Sequence, residues 1–304
     1  MSIIEKALNK AKDEGLPIDR ATEFSIEAKN IKVEQSTDLN ATANSSVKVS
    51  EKSEQEKLTN DGEVVEINWK QLAELGFVTP VDSNTQTIEE YRNIKRPLVS
   101  NAFGESSVGI ERANLILVTS SVPGEGKTFT AINLALSIAT ERDKKVLLID
   151  ADVARPSVSK TLGIKSSPGL IEYLEGQDYK FSDIILKTNM PGLRIIPAGK
   201  QHKHSTELLS SNRMVVLARE LSERYPDRIV IFDSPPLLAA TQGEVLAGLV
   251  GQVVLVIEAE STSQSMVMES VSRLAHCDVV LAVLNKAKQN TMDGGYYGYG
   301  QYAH

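Results

Sequence analysis

The chain has 304 residues, 41% hydrophobic and 24% charged, with a formal net charge of -7. That balance is ordinary for a globular protein and leaves room for one large domain or two smaller ones. The acidic sum argues against nucleic-acid binding by the chain as a whole, and a single cysteine, Cys277, excludes an internal disulfide.

In chain order, residues 3–13 put Ile3, Ile4, Ala7, Leu8 and Ala11 on one face. This predicts a short amphipathic helix in an N-terminal segment, 1–27. The opening lacks the apolar core of a signal peptide, and no stretch reaches the ~18–20 apolar residues that span a bilayer. A cytoplasmic protein is expected, peripheral at the inner membrane only through a partner. Residues 28–84 are expected to be a polar linker with short apolar patches: from about 28 to 62 the composition turns to Ser, Thr, Asn, Lys and Glu, with too little apolar surface to order that stretch, and apolar patches resume around Trp69.

From about residue 113, apolar β-branched runs alternate with helical stretches. Strands are expected at 115–120, 145–150, 193–198, 228–233, 252–258 and 278–285. Helices are expected over "TAINLALSIAT", "NRMVVLARELSERY", "GEVLAGLV" and "SMVMESVSRLA". Continuous apolar strands separated by helices predict an α/β fold, a doubly wound, mostly parallel sheet covered on both faces. Its domain is placed at 85–285, followed by a tail, 286–304. Cys277 lies at the entry to the last strand and reads as a structural thiol.

"LILVTSSVPGEGKTFTAINLALSIA" places a glycine-rich loop between a strand and a helix. Pro123, Gly124, Glu125, Gly126, Lys127, Thr128 and Phe129 form the expected nucleotide-binding run. Backbone N–H groups there can turn inward around phosphate oxygens at a helix N-terminus. Lys127 adds a charge for β- and γ-phosphates, and the Thr128 hydroxyl can ligate Mg²⁺. The P-loop NTPase pattern GxxxxGK[ST] wants Gly at position 121, where this chain has Ser121.

Asp150 and Asp152 follow one buried strand in "KVLLIDADVARPS", and Asp233 follows another in "RIVIFDSPPLL". Parallel strands end at one edge, where ligands bind. The three carboxylates should therefore converge on the loop. Asp150 and Asp233 are candidates, with Thr128, for holding Mg²⁺ through water. Asp150, in preference to Asp152, is also the candidate to accept a proton from an attacking hydroxyl. The alternative for any one of them is a helix cap. His202 and His204 suggest a metal only weakly and fit a solvated loop. The chain ends "MDGGYYGYGQYAH", with four of its eight tyrosines in that stretch. Such a sequence has no periodic apolar face to bury.

Together, "SSVPGEGKT", "VLLIDADVARP", "IVIFDSPP" and "YYGYGQY" resemble the motifs of the bacterial tyrosine kinases of exopolysaccharide systems, the BY-kinases. The resemblance covers roughly residues 85–304. It implies an ATP- and Mg²⁺-dependent autokinase that phosphorylates Tyr296, Tyr297, Tyr299 and Tyr302. Lys127, Asp150, Asp152, Asp233 and Arg155 would form its catalytic set. It also implies a homo-oligomer, as a ring or a tail-exchanging assembly. A membrane chain-length regulator whose cytoplasmic tail activates the kinase and a cognate tyrosine phosphatase are the further implied partners. The opening "MSIIEKALNKA" and "EEYRNIKRPL" resemble the autokinases of exosortase-associated polysaccharide loci.

Two positions depart from the family pattern. Arg155 lies three residues after Asp152, where the family usually has two. In "TIEEYRNIKRP", Glu89, Arg92 and Lys95 stand in for the ring-forming ExxRxxR helix, and Lys lacks the bidentate fork of Arg. A related fold type, the MinD/ParA assembly ATPases, carries an extra lysine early in the loop; Val122 stands there instead. A nucleotide-switched assembly ATPase and a non-catalytic nucleotide-binding scaffold remain the alternative functions.

Overall fold

The computed structural model describes residues 64–288, apart from 81–84, 105–108, 142 and 226. The expected N-terminal helix and the tyrosines of the tail lie outside the described residues.

Eight strands form one sheet: β1 (Val64–Val65), β2 (Leu115–Ser120), β3 (Lys145–Asp150), β4 (Leu186–Thr188), β5 (Leu193–Ile196), β6 (Arg228–Asp233), β7 (Gln252–Glu258) and β8 (Val279–Asn285). Their spatial order is β1-β4-β5-β3-β6-β2-β7-β8. All neighbours run parallel except β4 and β5, which are antiparallel. The six sequence-expected strands are all present, the third ending at Ile196 and the last beginning at Val279. β1 and β4 have two and three residues, too short to leave a periodic signal.

Side chains alternate across each strand, and both faces are apolar. Ile116, Val118, Val146, Leu148, Ile229, Ile231, Val254 and Val256 pack on one side. Leu115, Leu117, Leu147, Ile149, Val230, Phe232, Val253 and Leu255 pack on the other. The first face is covered by α2 (Thr85–Phe103) and α3 (Lys127–Ala139), preceded in the chain by the short α1 (Trp69–Glu74). The second is covered by α5 (Leu170–Glu175), α7 (Asn212–Arg224) and α8 (Gln242–Ala247), with Leu274 just after α9 (Gln264–Arg273). Two shorter helices, α4 (Val158–Leu162) and α6 (Ser205–Leu208), complete the set. In α3 every residue from Thr130 to Ala139 is buried, so the helix behind the phosphate loop has no wet face.

Residues 64–79 fall in the stretch expected to be linker, yet they pack into this fold. β1 pairs with β4, and Ile67, Leu72, Phe77 and Val78 are buried in the core. The Phe77 ring lies 4.7 Å from that of Phe129, and the Val78 N–H donates to Asn133 Oδ1 at 2.7 Å. Ile67, Leu72 and the adjacent pair Phe77 and Val78 are spaced by residues that stay exposed or half-buried, and their partners are remote in sequence. Local composition therefore understates their burial. Among the described residues no helix is long and apolar enough to cross a membrane.

Truncating Phe77 removes a ring from this contact. Phe77→Ala should lower the unfolding free energy by about 3 kcal/mol in a urea titration. A loss below about 1 kcal/mol would mean the segment is not part of the cooperative fold.

Candidate phosphate and carboxylate site

The site lies where β2, β3 and β6 end. Between β2 and α3 the chain makes its tight turn at Gly124 and Gly126, with φ of 96° and 97°. Gly126 has a second reason to lack a side chain: a Cβ there would lie 2.0 Å from Asn285 Nδ2. Ser121 has no positive φ, so the pattern's missing glycine is not required by the backbone. Its hydroxyl instead accepts a hydrogen bond from Ser270 Oγ at 2.8 Å.

The loop is held from behind. Glu125, 1% exposed, accepts the Val122 N–H at 2.7 Å and also accepts from the Thr262 hydroxyl. Its carboxylate thus braces the loop. Asn285 Nδ2 donates to the Glu125 carbonyl at 2.8 Å. Lys286 donates to the Gly124 carbonyl at 2.8 Å and pairs with Glu258 at 2.9 Å. Three supports, Thr262, Asn285 and Lys286, were not found by sequence reasoning. They act from more than 130 residues away, and no local pattern marks them. Phe129 turns its ring to Phe77 and the core, and Pro123 is exposed.

Parallel register sets Asp150 directly beside Asp233. Asp150 Oδ2 accepts the backbone N–H groups of Ser157 and Val158 at 3.1 and 3.0 Å, so it does cap α4. Its Oδ1 is buried with no partner among the described residues, as is Asp233 Oδ1. Asp233 Oδ2 accepts from the Thr128 hydroxyl at 2.7 Å. Asp152 Oδ2 takes the Lys127 ammonium at 2.7 Å. The expected convergence of Lys127, Thr128 and all three aspartates is therefore observed. Arg155 is exposed, and its backbone N–H donates to Asp152 Oδ1 at 3.1 Å.

The electrostatics follow from burial. Desolvation, then the like charge of Asp233, pushes Asp150 well above the ordinary carboxylate range. Desolvation raises Asp233 to about 6, although Lys127 and Thr128 pull the other way. Burial alone would lower Lys127, but attraction to Asp233 and Asp152 outweighs it and holds the ammonium above its ordinary value. One cation thus serves three carboxylates, two of which keep an unused oxygen. A polarised, dry edge with unused hard oxygen ligands beside a Thr hydroxyl suits hydrated Mg²⁺, and the glycine loop suits phosphate.

One other expectation comes out differently. Lys95 does not face outward. It is buried, donates to the Ser137 carbonyl at 2.7 Å and pairs with Glu141 at 2.9 Å, which ties α2 to the end of α3. Its long apolar stem crosses the interface between these helices, so a position read as an intermolecular contact is an internal one. Glu89 and Arg92 are exposed and pair with each other. His202 pairs with Glu175 at 2.6 Å, and no metal-holding cluster of His, Cys, Asp or Glu occurs among the described residues.

This fold and site define a P-loop nucleotide-binding protein. Residues 113–286 match a family model described as an AAA domain. Tyrosine-protein kinase YwqD of Bacillus subtilis is 33% identical over 213 residues, 69% of this chain and 86% of YwqD. The putative tyrosine-protein kinase EpsB of Ralstonia nicotianae is 35% identical over 192 residues, 62% of this chain. The match spans only 25% of EpsB. Among solved structures, the kinase domain of Escherichia coli tyrosine kinase ETK has a TM-score of 0.62 at 28% identity, over 79% of this chain and 88% of the solved domain's chain. The VpsO kinase domain has a TM-score of 0.51 at 34% identity, over 64% of this chain and 100% of its own. The chain belongs to the bacterial tyrosine-protein kinase family.

Two outcomes test this geometry. The folded chain keeps the Asp233 proton up to about 6, whereas the unfolded chain loses it near the ordinary 3.8. This group's contribution is therefore full below that window and drains away as pH rises through it. Asp233→Asn should be more stable than the parent at neutral pH without nucleotide, with a flatter stability profile across the window. Parallel urea-derived profiles for the two proteins would contradict the assignment. Separately, Lys286→Ala should weaken ADP binding about fivefold, or about 1 kcal/mol, because the charge-assisted bond to Gly124 is half exposed. Calorimetric titration measures it, and unchanged affinity would show the brace to be idle.

Proposed function

We propose that this chain is an ATP-dependent protein-tyrosine autokinase whose acceptors are Tyr296, Tyr297, Tyr299 and Tyr302. The observation that carries the reading is the convergence of Lys127, Thr128, Asp150, Asp152 and Asp233 at one sheet edge. Family membership supports it independently.

In the described state Lys127 is parked on Asp152. ATP enters with its phosphates in the loop, and Lys127 turns from Asp152 to the β- and γ-phosphate oxygens. Thr128 and Asp233 would hold Mg²⁺, which would supply charge neutralisation during transfer. A phenol with pKa about 10 is a weak nucleophile at neutral pH, so positioning and a proton acceptor matter. Asp150 has the unpartnered oxygen and the raised basicity for that role. The tyrosyl oxygen bonds to the γ-phosphorus as the bond to the β,γ-bridging oxygen breaks. The phenolic proton goes to Asp150, and ADP leaves. Asp152 takes Lys127 back when the loop empties, and Arg155 borders the entrance.

Assembly is the second part of the reading. α2 presents Glu89, Arg92 and the exposed Arg96 to solvent. With Lys95 committed internally, Arg96 supplies the last guanidinium of the motif one residue later. We place a ring or tail-exchanging homo-oligomer at this face. The assembly works at the inner membrane, activated by the cytoplasmic tail of a chain-length regulator and reset by a phosphatase. It serves exopolysaccharide polymerisation and export.

Incubation with γ-labelled ATP and Mg²⁺ tests the chemistry. Label should appear on the protein and disappear in Lys127→Met and in a chain truncated at Asp293. Free phosphate that survives truncation would instead identify an assembly ATPase. Nucleotide binding without either product would identify a scaffold.

A further inference from the structure

The segment between β3 and α4, residues 151–157, carries Asp152 and Arg155 and contains no helix or strand. Its ends are held within the site. The Ala151 N–H donates to the Asp233 carbonyl at 2.8 Å, and the Ser157 N–H donates to Asp150 at 3.1 Å. Its middle is held from outside. Gln201 Nε2 donates to the Val153 and Ala154 carbonyls at 2.5 and 2.7 Å. That nitrogen carries two hydrogens, so both are spent here. The two carbonyls belong to the residues that separate Asp152 from Arg155.

The loop that presents Gln201 is itself anchored, on both sides of that residue, to α5. The Lys200 N–H donates to Glu172 Oε1 at 2.9 Å, and His202 Nε2 meets Glu175 Oε1 at 2.6 Å. Glu172 is buried and also accepts the Gly169 N–H at 2.8 Å and the Ser167 hydroxyl at 2.7 Å. Gly199, with φ of 96°, lets the loop come this close, since a Cβ there would lie 2.2 Å from Glu172 Oε2. A buried carboxylate thus fixes the base of the loop, and Gln201 passes that fixity to the β3–α4 segment. Gln201 is exposed, so its two bonds compete with water and add little to stability. Their effect is on where the segment sits.

We infer that Gln201 is a positioning residue for the proposed transfer: its amide fork fixes the segment that holds Asp152 against Lys127 and keeps Arg155 at the border of the site. Its effect on turnover rests on the kinase reading; its grip on the segment does not. Asp152 Oδ2 lies 2.7 Å from the Lys127 ammonium, and Asp152 Oδ1 accepts the Arg155 N–H at 3.1 Å. Both contacts depend on the course of the chain from 152 to 155, which no helix or strand sets. A small shift of that turn moves the carboxylate that Lys127 leaves and rejoins in the proposed cycle. The phosphate loop keeps its own braces on Glu125, Asn285 and Lys286. The signature of Gln201 is therefore in turnover and not in ATP affinity.

The test compares Gln201→Met, which keeps the length of the side chain and removes both donors, with Gln201→Arg, which restores an N–H fork. In the full chain with γ-labelled ATP and Mg²⁺, Gln201→Met should lower the labelling rate at saturating ATP about tenfold and leave the apparent KM for ATP within about twofold. Gln201→Arg should recover most of the rate. An unchanged rate in Gln201→Met, a loss carried by KM alone, or a fall that Gln201→Arg does not repair overturns the assignment. Amide hydrogen exchange of the nucleotide-free chain reads the grip without any transfer. The Arg155 N–H should exchange about tenfold faster in Gln201→Met, with the amides of α3 unchanged. Unchanged exchange at Arg155, or faster exchange spread through α3, overturns the grip. A parent that transfers no label would sink the kinase reading, and exchange at Arg155 would then decide alone whether Gln201 holds the segment.

Discussion

The active edge depends on one constraint: Asp150 and Asp233 are forced side by side by strand register, in a place water does not reach. β3 and β6 are bonded along their whole length, and that ladder ends with the two carboxylates level. Neither strand can shift by one residue without turning an entire apolar set to the wrong face. Packing of the core thus holds two like charges together. Lys127 and the Thr128 hydroxyl relieve part of the repulsion, and backbone N–H groups at α4 relieve more. What remains is an electrostatic vacancy of defined sign at the edge where the glycine loop ends.

That arrangement explains why the loop is braced so heavily. A helix N-terminus beside buried carboxylates must keep its own geometry while its charged neighbours change partners. Glu125 supports the loop from within, Thr262 supports Glu125, and Asn285 and Lys286 hold two loop carbonyls. α3 behind it is buried along nearly its entire length. In the proposed reaction only the Lys127 ammonium need change partners, leaving Asp152. On the proposed reading stability and activity pull apart at this edge, the buried carboxylates weakening the folded chain where a cation would be held.

Most of the sheet could be read from the chain because its strands are long, apolar and β-branched. Such segments carry their own periodicity, and "VLLID" or "IVIFD" ends visibly in its candidate carboxylate. The phosphate loop was equally plain, since its chemistry needs glycine, lysine and threonine in a fixed run. What escaped shares one property: meaning set by distant partners. β1 and β4 are strands only because a neighbour pairs with them. Lys95 resembles a surface charge until the Ser137 carbonyl is seen to receive it. Arg228 opens a strand like any solvated residue, yet lies buried. Charged side chains with long stems are the poorest guide to location, because sequence does not say which way the stem runs.

The Lys286 brace has a consequence for any group that follows it in the chain. The residue is pinned to Gly124 within the phosphate loop itself, so it fixes one end of a tether at the active edge. Tyr296 lies ten residues further on, and so stays within about 36 Å of that point even at full extension. A single group confined to such a sphere has a local concentration on the order of 10 mM. A free second molecule cannot compete with that at ordinary protein concentrations. Transfer between copies therefore requires a neighbour held in place, whose own loop lies within the same radius.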